Sequence, residues 1–91
     1  MIVYIAGPMT GYPDFNRAAF HLADALLTER GHIVLNPAHH PDGLTLDEYM
    51  HMDLPMIDIC DIVYLLKGWE LSKGANIEKA YAEKYGKTVM G

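Results

Sequence analysis

The sequence predicts an α/β domain, a parallel sheet of about four strands in the order βαβαβαβ with helices on both faces. Three observations predict it. Four short apolar runs rich in β-branched residues recur along the 91 residues, segments with helical apolar spacing separate them, and turn-forming residues punctuate the junctions. The apolar runs are continuous and do not alternate with polar residues, as strands covered on both faces require.

The first strand is Met1 to Ala6, ended by Gly7-Pro8. Apolar residues then recur at Phe15, Ala19, Leu22, Ala23, Leu26 and Leu27, between Pro13-Asp14 and Gly31, which predicts a first helix with both ends marked. His32 to Leu35 is a second strand, followed by a loop rich in turn formers from Asn36-Pro37 to Asp42-Gly43. Thr45-Leu-Asp-Glu48 matches a capping box and opens a second helix. Pro55 lacks an N–H and predicts a kink or restart, with Asp53 placed to cap a short second piece running to Ile59. Asp61 to Leu66 is a third strand, Lys73 to about Tyr85 a third helix ended by Gly86, and Lys87 to Met90 a last strand.

Composition excludes several classes. At this length the chain is expected to form one domain over residues 1–91, because two cores would each be too small to offset chain entropy. Hydrophobic residues make up 51% and charged residues 21%, a globular balance. A net charge of −5, with seven scattered basic residues, gives no concentrated field for a nucleic-acid polymer. No run approaches the roughly 20 apolar residues of a spanning helix, so no membrane partner is expected. The opening segment has no basic flank and reads as a strand, not an export signal. The single Cys60 cannot form an internal disulfide and reads as a buried small residue, and a cytoplasmic location is expected.

In open parallel sheets ligands bind beyond the carboxyl ends of the strands. The candidate loops are therefore Gly7 to Gly11, Asn36 to Gly43 and Gly68 to Gly74. In the first, Gly7-Pro8-Met9-Thr10-Gly11 reads either as an ordinary turn or as a cradle of backbone amides with a hydroxyl at Thr10. It carries neither a Walker motif nor a dinucleotide fingerprint, so no cofactor is expected. A helical wheel for the third helix puts Ile77, Tyr81 and Tyr85 on the buried face with Glu78 inside the same arc. Glu78 either points into the crevice or sits at the stripe's edge and reaches water. Asp53 is either a helix N-cap or a catalytic acid/base group, and Asp61 reads as structural. Ser72 caps the third helix or greets an anion at its N-terminus, and Trp69 stacks on a base or covers the core edge. His39-His40 with His51 fits no standard ligand spacing, so no metal is expected.

The strings Tyr4-Ile-Ala-Gly-Pro-Met-Thr-Gly11, Asp53 followed eight residues later by Asp61, and Gly68-Trp-Glu-Leu-Ser-Lys-Gly-Ala-Asn-Ile-Glu78 belong to a match that covers essentially the whole chain. Together they resemble the nucleoside 2-deoxyribosyltransferase superfamily, in particular its short phage and bacterial members. The resemblance implies a Rossmann-like (flavodoxin-like) fold, a small-molecule nucleoside or nucleotide substrate, and a homodimer or higher oligomer whose neighbours complete each other's sites. It implies Glu78 as the nucleophile that forms a covalent glycosyl intermediate and Asp53 as an acid/base group. Tyr4 and Gly7, Pro8, Met9, Thr10 and Gly11 would line the sugar pocket, with Trp69, Ser72 and Gly74 completing the substrate-binding set. One departure matters. The base-exchanging transferases carry an Asp six residues before the nucleophile, where this chain has Ser72, as in the related deoxynucleoside 5′-monophosphate N-glycosidases that use it to hold the phosphate. The larger members also continue with a fifth strand and a tail that contributes to the site, which leaves part of the pocket unaccounted for unless a partner subunit supplies it.

The expected function is thus cleavage of the N-glycosidic bond of a nucleoside 5′-monophosphate. The alternatives are base exchange by a transferase, a non-catalytic nucleotide-binding or sensing module, and a structural protein that inherited the fold.

Overall fold

The computed structural model describes residues 1–91. Its elements run β1 (Ile2–Ala6), α1 (Arg17–Glu29), β2 (Ile33–Leu35), α2 (Leu46–Ile59), β3 (Ile62–Leu65), α3 (Lys73–Lys84) and β4 (Thr88–Met90). Short 3-10 turns at Pro13–Asn16, Pro37–His39 and Trp69–Leu71 precede or join them. All strand pairs are parallel and the spatial order is β2-β1-β3-β4. The expected Rossmann-like α/β fold is therefore present. The chain steps from β1 outward to β2 and then crosses back over β1 to β3, so the order reverses between β1 and β3. That reversal opens a crevice at their carboxyl ends.

Two cores flank the sheet. Tyr4, Ala6, Val63 and Leu65 pack with Ile57 of α2 and Ala75 and Ala82 of α3, while Ile5 and Leu66 pack on the other face with Phe20 and Ala23 of α1 and with Ala38. Successive β1 residues thus serve opposite layers, and β1 is apolar throughout because neither face meets water. Cys60 is buried beside the first core, as expected of a small apolar residue. No helix is long and apolar enough to cross a membrane.

Local chemistry sets the helix starts. Thr45 Oγ1 accepts from the Glu48 amide at 3.2 Å while Glu48 Oε1 accepts from the Thr45 amide at 2.9 Å, the capping box that opens α2. Helix α1 begins at Arg17 and not at Phe15, because Asp14, Phe15 and Asn16 all adopt left-handed backbone with φ of 48°, 53° and 61°. Such angles are costly for bulky side chains. They swing Phe15 out of the apolar stripe, whose buried members are Phe20 and Ala23, while Leu22 and Leu26 face solvent.

Two further expectations are corrected. Helix α2 continues unbroken through Pro55, with no restart and no cap at Asp53. The N–H that proline lacks would have served the His51 carbonyl four residues earlier, and both residues are exposed, so the missing bond is not buried away from solvent. In α3 the buried residues are Ala75, Glu78 and Ala82, whereas Ile77 and Tyr85 are exposed. The two alanines allow the helix backbone to approach the sheet closely. Glu78, spaced three and four residues from them, is carried to the centre of the buried stripe.

Candidate active site

Beyond the carboxyl ends of the strands lies a cavity of about 370 Å³, a size that suits a mononucleoside. All three predicted loops reach it: Gly7, Met9 and Thr10 from the first, Pro37 and His40 to Gly43 from the second, and Ser72 and Gly74 from the third. Gly7 is required by close packing, since a Cβ there would fall 2.8 Å from Leu66 Cβ. Helix α2 contributes Tyr49, Met50 and Asp53, and α3 contributes Glu78.

At the base of the cavity four side chains form a connected cluster. The Tyr4 hydroxyl donates to Glu78 Oε2 at 2.5 Å, and the His40 ring Nε2 pairs with Asp53 Oδ1 at 2.7 Å. Asp53 and Glu78 are each 5% exposed. Burial first, and then the charge of Asp53, push the Glu78 carboxyl well above the usual carboxylate range, while the bond from Tyr4 pulls it back down. Burial and the adjacent Glu78 likewise push the Tyr4 phenol well up, so it remains a neutral donor. A second carboxylate this close in a dry site makes a full charge on Glu78 costly.

The loop that carries His40 is pinned from α2. The Tyr49 hydroxyl donates to the Pro41 carbonyl at 2.7 Å and receives the Leu44 amide at 3.4 Å, and its ring lies roughly parallel to that of His40, with centroids 6.4 Å apart. On the wall formed by the α1 N-terminus, Arg17 is ion-paired with Asp14 at 2.7 Å and with Asp42, and its guanidinium lies over the Phe15 ring at 5.3 Å. Arg17 is the only lysine or arginine lining the cavity. Ser72 Oγ accepts from the Ala75 amide at 3.1 Å and caps α3, whose N-terminal turn lines the cavity through Ser72, Gly74 and Ala75. A helix N-terminus of this kind favours an anion.

Most of the residues singled out in the sequence converge here, but not all. Tyr4 is fully buried and meets the site from behind, through its bond to Glu78 and its closeness to Asp53; it does not line the cavity wall. Pro8 packs under Gly68, and its carbonyl receives the Asn16 side chain at 3.0 Å, while Gly11 supplies an exposed turn with φ of 84°; neither lines the cavity. Trp69 also lies off the cavity, half-buried against the core with Lys79 Nζ 5.4 Å from its ring centre. Its single-chain placement is the core-edge one. Asp61 accepts the Ile2 amide at 2.8 Å and ties two strand starts together. His40, Arg17, Phe15, Asp42 and Tyr49 were not singled out as substrate or catalytic residues. His40 and Asp42 carried a legible signal, both lying inside a predicted strand-end loop.

A family model described as "Domain of unknown function (DUF4406)" matches residues 1–91. Among solved structures, a 2-desoxiribosyltransferase from Leishmania mexicana superposes with a TM-score of 0.76 at 25% identity, over 97% of this chain. This chain spans 61% of the length of that one. No curated protein matches.

Proposed function

For this chain, which belongs to the DUF4406 family, we propose cleavage of the N-glycosidic bond of a deoxynucleoside 5′-monophosphate through a covalent glycosyl-Glu78 intermediate. The observation that carries the reading is a buried carboxylate, hydrogen-bonded by Tyr4, on the wall of a nucleoside-sized cavity with a His40–Asp53 pair beside it. Similarity to a desoxiribosyltransferase supports the substrate class.

The chemistry follows from the charges. As the bond between C1′ and the base nitrogen breaks, positive charge develops on the sugar, and an ionised Glu78 stabilises it and closes a bond to C1′. The electron pair of the broken bond leaves with the base, which takes a proton from the His40–Asp53 pair. Water then attacks C1′, gives a proton to the same pair and releases the sugar phosphate and Glu78. Tyr4 holds the carboxylate in the attacking orientation. Ser72 and the α3 N-terminus are the groups suited to the phosphate, and Arg17 is the one basic side chain lining the same cavity. As part of this reading the chain works as a homodimer or higher oligomer in which a neighbour covers the cavity mouth, to be checked by light scattering.

Incubation with each of the common deoxynucleoside monophosphates, followed by chromatography of released base, tests the reading. Release by the wild type and none by Glu78→Gln is the expected result; equal release by both removes Glu78 from the role. The activity for which the solved neighbour is named favours one second reading, base exchange. Adding a different free base to the assay separates the two, because exchange yields a new nucleoside or nucleotide and hydrolysis does not.

A further inference from the structure

Outside the cavity, on the opposite face of the sheet from α3, three side chains from two elements converge. His21 and Asp24 lie three residues apart on α1 and so share one helix face. His39 ends the 3-10 turn Pro37–His39 that packs against the same helix. One donor atom from each of the three lies within 4.8 Å of the others. We propose that His21, Asp24 and His39 form a site for a divalent transition metal of the zinc class, bound through two imidazoles and one carboxylate with the remaining positions open to water. The proposal does not rest on the activity assigned to the cavity.

The donor set is the one such ions prefer, since imidazole and carboxylate together suit zinc and its neighbours. A tetrahedral ion with bonds of about 2.0–2.1 Å places its ligand atoms roughly 3.3 Å apart. The observed spread closes to that by small rotations of two exposed histidines. The surroundings orient the ligands as an outer shell does. Asn36 is 7% exposed, and its Oδ1 is fixed by the Ala38 amide at 2.9 Å, which settles where its Nδ2 points. That Nδ2 donates to Asp24 Oδ2 at 2.9 Å and contacts His21 Nδ1 at 3.2 Å. The other Asp24 oxygen receives the Thr28 hydroxyl at 3.0 Å, so the carboxylate is held from both sides. His39 Nε2 already lies 3.9 Å from Asp24 Oδ2, with its ring centroid 5.2 Å from that of His21.

Because Asn36 donates to His21 Nδ1, that nitrogen carries the lone pair in the neutral ring. The ion takes that lone pair in exchange for one hydrogen bond, and Asn36 keeps its bond to Asp24. The histidine pairing considered in the sequence, His39-His40 with His51, failed on spacing. His21 was missing from it because the contact is made only when the turn after β2 folds back onto α1. A metal here would clamp that turn to α1, and the next residue in the turn is His40, whose side chain points the other way to Asp53.

Titrating the full, metal-stripped chain with zinc chloride in a calorimeter tests the site. One equivalent bound by the wild type and by His51→Gln, with binding lost in each of His21→Gln, Asp24→Asn and His39→Gln, is the expected result. These replacements keep a hydrogen-bonding side chain, and a far-UV circular dichroism spectrum matching the wild type confirms that each variant folds. Absence of binding by the wild type, or an isotherm unchanged in the three variants, overturns the proposal. Cobalt chloride supplies a second reading, because visible absorption of tetrahedral intensity should appear in the wild type and vanish with any of the three.

Discussion

Tyr4 and Glu78, 74 residues apart in sequence, meet through a 2.5 Å hydrogen bond in the interior of the domain. The bond joins the middle of the central strand to the buried face of the last helix. It fixes the carboxylate against the sheet and offers it a donor in surroundings that otherwise disfavour its charge. The first two predictions come from this pair.

Tyr4→Phe removes the donor and leaves a buried carboxylate less satisfied. Stability should fall by about 1–3 kcal/mol in urea unfolding. The Tyr4 bond holds the Glu78 pKa down, so its loss moves that pKa further up. The acidic limb of the pH–rate profile should therefore shift to higher pH, and a limb that stays in place would show that Glu78 does not govern it.

Stability should depend on pH with a definite sign. Burial and Asp53 raise the folded-state pKa of Glu78 above its unfolded value, so between the two values the folded chain holds more protons than the unfolded one. Stability is then fullest below the unfolded value and is lost as pH rises through the raised one, at no more than about 1.4 kcal/mol per pH unit for one proton. Glu78→Gln should flatten this dependence, as measured by denaturant midpoints across a pH series.

His40→Gln should leave substrate binding nearly intact and lower kcat by about 10²–10⁴-fold, the usual contribution of a positioned acid/base group. A nucleotide with a leaving base that needs no proton should recover most of the loss. Uniform loss across leaving groups would argue against the role.

Ser72→Ala removes the α3 cap and should cost about 1 kcal/mol of stability. Arg17→Met should raise KM for the monophosphate much more than for the unphosphorylated nucleoside. Equal effects on both would move the phosphate away from this wall.

Ala82→Leu inserts bulk where α3 touches the sheet, and Ala82 is fully buried. Overpacking should cost about 1–3 kcal/mol. It should also reduce activity at a site this side chain never touches, because the helix that carries Glu78 is pushed outward. Thermal melts beside base-release assays check both effects.

Periodicity and turn residues made the element order, the parallel sheet and the capping box of Thr45 and Glu48 legible, because each of these depends on neighbours within a few positions. The three loops that line the cavity were legible for a related reason: in a parallel sheet every loop after a strand emerges on the same edge. Other features were decided at longer range. Pro55 stays inside α2 because its missing bond falls on the solvent side. Ile77 and Tyr85 are displaced from the buried face by Ala75 and Ala82, since close helix–sheet approach rewards small residues over apolar ones.

By itself, then, the sequence determined the βαβαβαβ order, the edge of the sheet where a site must lie, and Glu78 and Asp53 as carboxylates worth watching, because hydrophobic period and chain direction are local properties. Only the tertiary structure decided that Glu78 is buried against Tyr4, that Asp53 is paired with His40 instead of capping a helix, and that Trp69 lies away from the cavity. Those outcomes depend on which side chains meet across the sheet crossover, and desolvation with charge proximity exists only once they have met.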